Sequence, residues 1–194
     1  MTYRLERFKN FITADECAKL NAWVDEGVAK KWLDVGISRG NHQYDKRVTS
    51  RLYAERFTYP EFVRQLSERV RKFCGVSDYG LIEGHGRDGV VVSRTSPGGD
   101  VYAHKDPRSA SSLATLRCNI LTRAADGGGV LHIEGEEIPL EVGELHCYLV
   151  SDHTHSATEV VGSTSRVMWM FGAHVPRNDW NMGLIKLGNT NHGN

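Results

Sequence analysis

The second half of the chain is a succession of short strand-like segments separated by glycine-rich turns, and this pattern most constrains the fold. From Gly89 onward, residues 90–95 are predicted to form a strand and residues 96–100, Ser-Pro-Gly-Gly-Asp, a turn. Further predicted strands cover residues 116–122, 130–133, 137–140, 145–150 and 165–174, with turns at 126–129 and 134–136. Many short strands with such turns indicate a sandwich or barrel, so we predict a jelly roll over residues 89–175.

Residues 1–75 are predicted to be a mainly helical support region for these strands. Thr13 and Glu16 have the spacing of a capping box, and the helix that they begin is expected to stop at Gly27. A second helix is predicted to begin around Pro60, because proline is tolerated in the first turn, and to end at the glycine that closes the region.

Two polar segments lie outside these elements, one between the two helices and one after the last strand. Residues 30–59 are rich in Arg, Asn, Gln and Gly and contain a strand-like piece at 47–53; the segment is either a surface loop or a cover for a substrate. Residues 176–194 are predicted to be a tail, in which Trp180 either anchors a turn or lies over the mouth of a site. Without a repeat or an obvious linker, residues 1–194 are expected to form one domain.

Composition excludes several classes of protein. Lysine plus arginine and aspartate plus glutamate both number 24, which argues against a nucleic-acid partner bound mainly through phosphates. The sequence has no apolar run of about 18 residues, so we expect no membrane span. The N-terminus also lacks the apolar stretch of a signal peptide.

The cysteines indicate the compartment. They form no C-x-x-C pair and are interpreted as buried free thiols of a cytoplasmic protein: Cys17, Cys74, Cys118 and Cys147.

One constellation of residues predicts chemistry. His104 and Asp106 are two residues apart, so on an extended strand their side chains point to the same face. His155 follows 51 residues after His104, with His153 as its rival in Asp-His-Thr-His, and Arg166 lies 11 residues beyond His155. Two imidazoles and one carboxylate are the ligand set of non-haem Fe(II) oxygenases, since they leave positions open for oxygen and substrate.

With these residues the chain resembles the Fe(II)- and 2-oxoglutarate-dependent dioxygenases, in particular the compact branch similar to prolyl 4-hydroxylase catalytic domains. The resemblance covers residues 90–173, with a weaker echo at 8–17. It implies a double-stranded β-helix, the cupin-like form of the jelly roll, preceded by helices.

The resemblance also implies the site. His104 and Asp106 would be the first two metal ligands, and His155 is preferred to His153 as the third because its distance from Arg166 fits the family interval. Arg166 would bind the far carboxylate of 2-oxoglutarate, since a guanidinium makes two parallel hydrogen bonds to a carboxylate.

One position departs from the family pattern. Related hydroxylases often have a tyrosine nine residues before the first histidine that helps to bind the co-substrate, whereas this chain has Thr95. Asn119 or Arg117, on the next strand, is the alternative for that task.

The reaction that the resemblance implies consumes O2 and 2-oxoglutarate, releases succinate and CO2, and hydroxylates an unactivated C–H. Desaturation or cyclisation stays an alternative; Asp106 argues against halogenation, in which a small residue replaces this carboxylate.

The substrate is predicted to be a small molecule such as an amino acid, whose carboxylate would meet one of three arginines: Arg94, Arg108 and Arg117. Three alternatives stay open. They are a prolyl 4-hydroxylase-like enzyme acting on a peptidyl substrate, a cupin-type oxygenase that uses no 2-oxoglutarate, and a non-catalytic jelly-roll binding protein.

Overall fold

The structure, a computed structural model, describes residues 3–30, 47–53, 60–79, 87–106 and 112–188, with the backbone alone for 47–53 and 87–89. In these ranges the strands are β1 (Glu6–Phe8), β2 (Arg47–Tyr53), β3 (Arg87–Thr95), β4 (Val101–His104), β5 (Leu113–Arg123), β6 (Gly127–Gly128), β7 (Leu131–Ile133), β8 (Glu136–Ile138), β9 (Leu145–Leu149), β10 (His155–Ala157), β11 (Val160–Val161) and β12 (Arg166–Pro176). The helices are α1 (Ala14–Ala29), α2 (Glu61–Phe73) and α3 (Arg177–Asn181).

Two antiparallel sheets form the body of the molecule. The large sheet has the order β1-β9-β5-β12-β3-β2 and the small sheet the order β4-β10-β7-β8, while β11 and β6 pair separately. A small apolar cluster joins Leu131, Ile133 and Ile138 of the small sheet to Tyr148 of the large sheet. The predicted jelly roll is confirmed as a double-stranded β-helix.

The large sheet has an outer face covered by helices and an inner face that looks toward the small sheet. Alternate residues of its central strands, such as Ile120, Leu145 and Trp169, are fully buried in the main apolar core with α1 and α2. Because side chains alternate along a strand, the residues between them project to the inner face. That face carries the buried polar side chains of the molecule's candidate site.

The two predicted helices are confirmed, with one change of boundary. The capping box is formed, because Thr13 Oγ1 accepts from the N–H of Glu16 at 3.2 Å and Glu16 Oε2 accepts from the N–H of Thr13 at 2.9 Å. The helix continues past Gly27 to Ala29, however, because Gly27 is buried within it and packing overrides the low helix propensity of glycine.

At the end of α2, Gly75 adopts φ +63, and a Cβ there would lie 2.7 Å from the carbonyl oxygen of Lys186. Glycine is therefore required at the predicted stop.

The structure changes one predicted turn and settles one alternative left open by the sequence. Residues 126–129, predicted as a turn, contain the short strand β6, which pairs with β11. Of the two alternatives for Trp180, an anchor in the tail or a cover over a site, the structure shows the anchor. The Trp180 side chain is fully buried in the main core, and the guanidinium of Arg4 lies 4.2 Å from its ring centroid. Trp180 thus does not cover the inner face.

Of the polar segment 30–59, residues 47–53 form the edge strand β2 beside β3, while 31–46 and 54–59 lie outside the described residues. In the described part of the chain, no helix has the length and apolarity needed to cross a bilayer. All four cysteines are free and buried, as predicted.

Candidate metal centre

Three side chains converge at one end of the small sheet. The candidate ligand atoms of His104, Asp106 and His155 all lie within 4.8 Å of one another. Asp106 Oδ1 is 3.5 Å from His104 Nε2 and 4.0 Å from His155 Nε2. An ion bound at about 2.1 Å from each atom fits the 3.5 Å and 4.0 Å distances, since two such bonds span at most about 4.2 Å.

Strand pairing places the two imidazoles together. β4 and β10 are antiparallel neighbours, and His104 and His155 are directly opposite each other, with ring centroids 4.4 Å apart. Asp106 follows the end of β4 and is fixed by its backbone N–H, which donates to the carbonyl of Val150 at 3.0 Å. Lys105 points away and donates to the carbonyl of Asp152 at 2.7 Å.

Both histidines have the orientation of metal ligands. His104 Nδ1 lies 2.8 Å from the carbonyl oxygen of Tyr102, and His155 Nδ1 lies 3.2 Å from that of His153. When Nδ1 donates to a carbonyl, the lone pair of the neutral ring is on Nε2. Nε2 is the atom that each ring presents to Asp106.

The carboxylate of Asp106 is held in its charged form. Burial alone would raise its pKa, but the polar neighbours His104, Arg117 and His155 lower the pKa to about 2. A carboxylate that is ionised at neutral pH beside two imidazoles is a donor set for a divalent transition metal.

His153, the sequence rival of His155, lies elsewhere. Its Nδ1 is 3.5 Å from Glu134 Oε1, and its ring is 5.4 Å from that of Tyr3. The structure thus brings His155, rather than His153, to His104 and Asp106. The ring of Tyr148 packs edge-on against His155 at 5.8 Å.

Arg117 reaches the same place from the large sheet. It is 7% exposed, and its Nε lies 3.6 Å from Asp106 Oδ2. Gly172 is its cross-strand neighbour, and a Cβ there would lie 2.8 Å from Arg117 Nη1. The absent side chain at Gly172 therefore leaves room for the guanidinium.

Arg166 is buried at the start of β12, where its cross-strand neighbour on β3 is Thr95. The two side chains therefore share the inner face. Gly129, at φ +64, packs against the arginine, because a Cβ there would lie 2.9 Å from Arg166 Cδ. Among the described residues, the buried Oγ1 of Thr95 has no hydrogen-bond partner.

Asn119 also lies on the inner face, directly across from His146 on β9. Asn119 Nδ2 is 3.3 Å from His146 Nε2, and His146 is fully buried. Burial and the positive charge of Arg166 lower the pKa of His146 to about 3, so the ring is neutral. His146 was not among the residues predicted from the sequence. The signal that could have found it is a histidine between the apolar residues Leu145 and Cys147 on a core strand.

One of the three arginines predicted for the substrate does not approach His104, Asp106 and His155. Arg94 is a correction: it lies on the outer face, with its Nε 3.5 Å from Asp25 Oδ1. There it lines a surface cavity of about 390 Å³ together with Asp25, Arg123 and residues 163–165. The strand alternation that places Thr95 inward turns Arg94 outward. Arg108 lies outside the described residues.

A second group of potential ligands lies in the main core. The sulfurs of Cys74, Cys118 and Cys147 are within 4.8 Å of one another, and all three residues are at most 2% exposed. Among the described residues this group supplies three donors, whereas structural zinc takes four. Burial among apolar side chains also opposes the charge of three thiolates.

No protein-family model matches the chain, and no curated protein matches its sequence. Solved structures do resemble it. A prolyl-4-hydroxylase from Pseudomonas putida has a TM-score of 0.67 at 18% identity, covering 91% of this chain and 94% of that one.

The viral collagen prolyl hydroxylase of Paramecium Bursaria Chlorella virus-1, in complex with 2-oxoglutarate, has a TM-score of 0.62 at 16% identity, covering 90% of this chain and 97% of that one. HygX from Streptomyces hygroscopicus, with nickel, 2-oxoglutarate and hygromycin B bound, has a TM-score of 0.59 at 11% identity, covering 91% and 84%. At these identities the likeness establishes a shared fold.

Proposed function

We propose that this chain is an Fe(II)- and 2-oxoglutarate-dependent dioxygenase that hydroxylates an unactivated C–H of a small molecule, with release of succinate and CO2. The observation that carries the proposal is the convergence of His104, Asp106 and His155 at the end of a double-stranded β-helix. All three of the structural neighbours named above carry hydroxylase names or bound 2-oxoglutarate.

The donor set fits iron. His104 and His155 would hold it through Nε2, and Asp106 through a carboxylate oxygen, so that one face of the ion stays open. When bound, the iron would supply the activation of O2, coupled to oxidation of 2-oxoglutarate. The chain's own residues would fix the ligand geometry, with the buried side chains of Arg117 and Tyr148 beside the ligands.

The inner face fits the co-substrate. Arg166 is buried there beside Thr95, whose Oγ1 is an unpartnered buried atom among the described residues. We infer that Arg166 binds the far carboxylate of 2-oxoglutarate through its guanidinium, with Thr95 and Asn119 beside it.

Arg117 favours a substrate with an anionic group. Its guanidinium is buried next to Asp106, and its Nη1 has no hydrogen-bond partner among the described residues. A free amino acid has a carboxylate that would occupy this position while its side chain approaches the metal. The prolyl hydroxylases among the structural neighbours favour the second candidate, a peptidyl substrate.

The four free thiols favour a reducing compartment such as the cytoplasm.

Anaerobic calorimetry tests the metal site. The parent protein is titrated with Mn(II), which replaces Fe(II), and then with 2-oxoglutarate. We expect 2-oxoglutarate to bind only when the metal is present. His155→Ala should abolish Mn(II) binding, whereas the matched variant His153→Ala should retain it, because His153 lies against Glu134 instead. Metal-independent binding of 2-oxoglutarate, or none at all, would refute the proposed function and leave the non-catalytic binding protein.

Arg166→Ala separates the co-substrate from the metal. Loss of a buried charge-assisted pair should weaken the binding of 2-oxoglutarate on the order of 100-fold, with Mn(II) affinity unchanged.

The substrate class is tested separately, by measuring succinate release over free amino acids, their amides and short peptides. Activity on free amino acids but not on their amides would support the role of Arg117, and activity on peptides alone would favour the peptidyl alternative.

A further inference from the structure

The pair Asn119–His146 has buried polar atoms that the described protein does not satisfy. Asn119 Oδ1 and His146 Nδ1 are both inaccessible to solvent, and neither has a hydrogen-bond partner among the described residues. Buried polar groups in folded proteins are nearly always paired, because an unpaired group loses its hydration without compensation. An unpaired ring nitrogen this deeply buried, on the inner face that carries Arg166, points to a ligand that pairs with it.

The hydrogen bond between these residues fixes the chemistry of the unpaired ring atom. Asn119 Nδ2 is a donor, so His146 Nε2, 3.3 Å away, accepts from it. A neutral imidazole that accepts at Nε2 carries its proton on Nδ1. The unpartnered atom of His146 is therefore an N–H group in need of an acceptor.

The surroundings favour an acceptor that is an anion. Arg166 projects to the same inner face of the large sheet, and its positive charge, after burial, lowers the pKa of His146. Thr95, the cross-strand neighbour of Arg166, adds a third unpartnered polar atom on the same face. A guanidinium, an N–H group and a hydroxyl make a set of donors that matches a carboxylate.

We propose that the Nδ1–H group of His146 donates a hydrogen bond to the far carboxylate of 2-oxoglutarate, beside the guanidinium of Arg166. Asn119 is then a positioning residue, because it holds the tautomer of His146 that keeps the proton on Nδ1. This inference rests on the proposed function and assigns to its co-substrate a contact residue that the sequence pattern did not indicate.

The test compares two 2-oxo acids in the Mn(II)-loaded protein under anaerobic conditions. 2-Oxopentanoate has the same metal-binding end as 2-oxoglutarate but a methyl group in place of the far carboxylate. His146→Leu should weaken 2-oxoglutarate by about 10- to 100-fold, as expected for loss of a hydrogen bond to a charged group. The same variant should leave the affinity for 2-oxopentanoate and for Mn(II) unchanged.

His146→Asn is the matched rescue, because its amide N–H stands near the position of Nδ1; it should recover most of the 2-oxoglutarate affinity. Equal weakening of both 2-oxo acids in His146→Leu would overturn the proposal, since a structural role affects the pocket as a whole. Unchanged 2-oxoglutarate affinity in His146→Leu would overturn it as well. If the parent protein itself binds no 2-oxoglutarate, the proposed function fails. If the parent binds it and only His146→Leu gives one of the contrary results above, the proposed function stands and the role of His146 fails.

A measurement on the parent protein makes the result independent of whether the variants fold. With diamagnetic Zn(II) bound, the Nδ1–H proton of His146 should become visible by NMR and slow to exchange when 2-oxoglutarate is added, but not when 2-oxopentanoate is added. The same response to both acids would contradict the proposal.

Discussion

At the scale of single residues, the candidate site depends on a glycine as much as on its charged side chains. Gly172 faces Arg117 across β12 and β5, and the space above it is filled by the arginine. The φ of Gly172 is not in the left-handed region, so glycine is required there for room rather than for backbone conformation. A substitution at Gly172 therefore displaces the Arg117 guanidinium but keeps its positive charge in the protein.

Gly172→Ala should displace the Arg117 guanidinium, because the new Cβ would lie 2.8 Å from Nη1 and 3.4 Å from Cδ. We expect Mn(II) and 2-oxoglutarate affinities within about twofold of the parent. The KM of an anionic substrate should rise about tenfold, which corresponds to roughly 1.4 kcal/mol of lost binding. Steady-state succinate release measures the KM.

Gly127→Ala is the matched control, because a Cβ there makes only an ordinary 3.6 Å contact with Val161. An unchanged KM in Gly172→Ala would exclude Arg117 from substrate binding.

At the scale of elements, the site is assembled by strand pairing between segments far apart in the chain. β4 brings His104, and the short strand β10 brings His155 to the opposite position. On the large sheet, β9 carries His146 and is itself paired with the N-terminal strand β1. The strand that holds the inner-face histidine is thus anchored by the first residues of the described chain.

An ion pair between Arg7 and Glu144 connects β1 to the start of β9. Glu144, immediately before β9, has a fully buried side chain that accepts from Arg7 of β1, with Nη2 to Oε2 at 2.9 Å, and from the N–H of Glu141 at 3.0 Å. Burial would raise the pKa of Glu144, but the hydrogen bonds from Arg7 and Glu141 outweigh it and lower the pKa below its usual 4.5. The carboxylate therefore stabilises the fold in its ionised form.

Glu144→Gln should lower the free energy of unfolding by about 2 kcal/mol at pH 7, since it replaces charge-assisted hydrogen bonds by neutral ones. The contribution of Glu144 is present above the pKa of the unfolded carboxyl, about 4.5, and is lost as the pH falls from there through the lowered pKa of the folded state. The difference between parent and variant should therefore shrink as the pH is lowered through that window. Urea unfolding at pH 7 and pH 3.5 measures it.

Glu141→Gln is the control for this effect. The Glu141 side chain is more than half exposed and pairs with the exposed Lys9, so its loss should cost less than about 1 kcal/mol. A pH-independent difference in Glu144→Gln would show that the ionised carboxylate is not the source of the stability.

At the scale of the whole molecule, metal and co-substrate should stabilise the fold, because their proposed ligands come from both sheets. The small sheet supplies His104 and His155, and the large sheet supplies Arg166. A ligand that joins the two sheets binds the native state only, so it raises the free energy of unfolding by mass action.

Mn(II) with 2-oxoglutarate at about 100 times its Kd should add roughly 2.7 kcal/mol. For a chain of 194 residues that gain corresponds to a rise in Tm of about 5–10 °C. Anaerobic scanning calorimetry measures the shift, and His104→Ala should abolish it while unfolding in a single transition. A Tm that does not respond to saturating metal and 2-oxoglutarate would contradict a site that joins the sheets.

The jelly roll was predictable because the glycine-rich turns and short apolar strands are local properties. The capping box at Thr13 depends on residues three apart, and the His104–Asp106 spacing depends on residues two apart. Short-range geometry of this kind is fixed by backbone dihedrals alone. The predicted stop at Gly27 was wrong because burial of that glycine in the core, a long-range effect, keeps the helix intact.

The sequence by itself determined the donor types of the candidate site: two imidazoles and a carboxylate at H-x-D spacing, with an arginine after the last histidine. Only the tertiary structure brought His155 rather than His153 to His104 and Asp106. It also turned Arg94 away, brought Arg117 to Asp106 and placed His146 on the inner face that carries Arg166. Each of these outcomes depends on which strands pair and in which register. A shift of one residue in register moves a side chain to the other face of its sheet, and register is set by contacts between segments far apart in the chain.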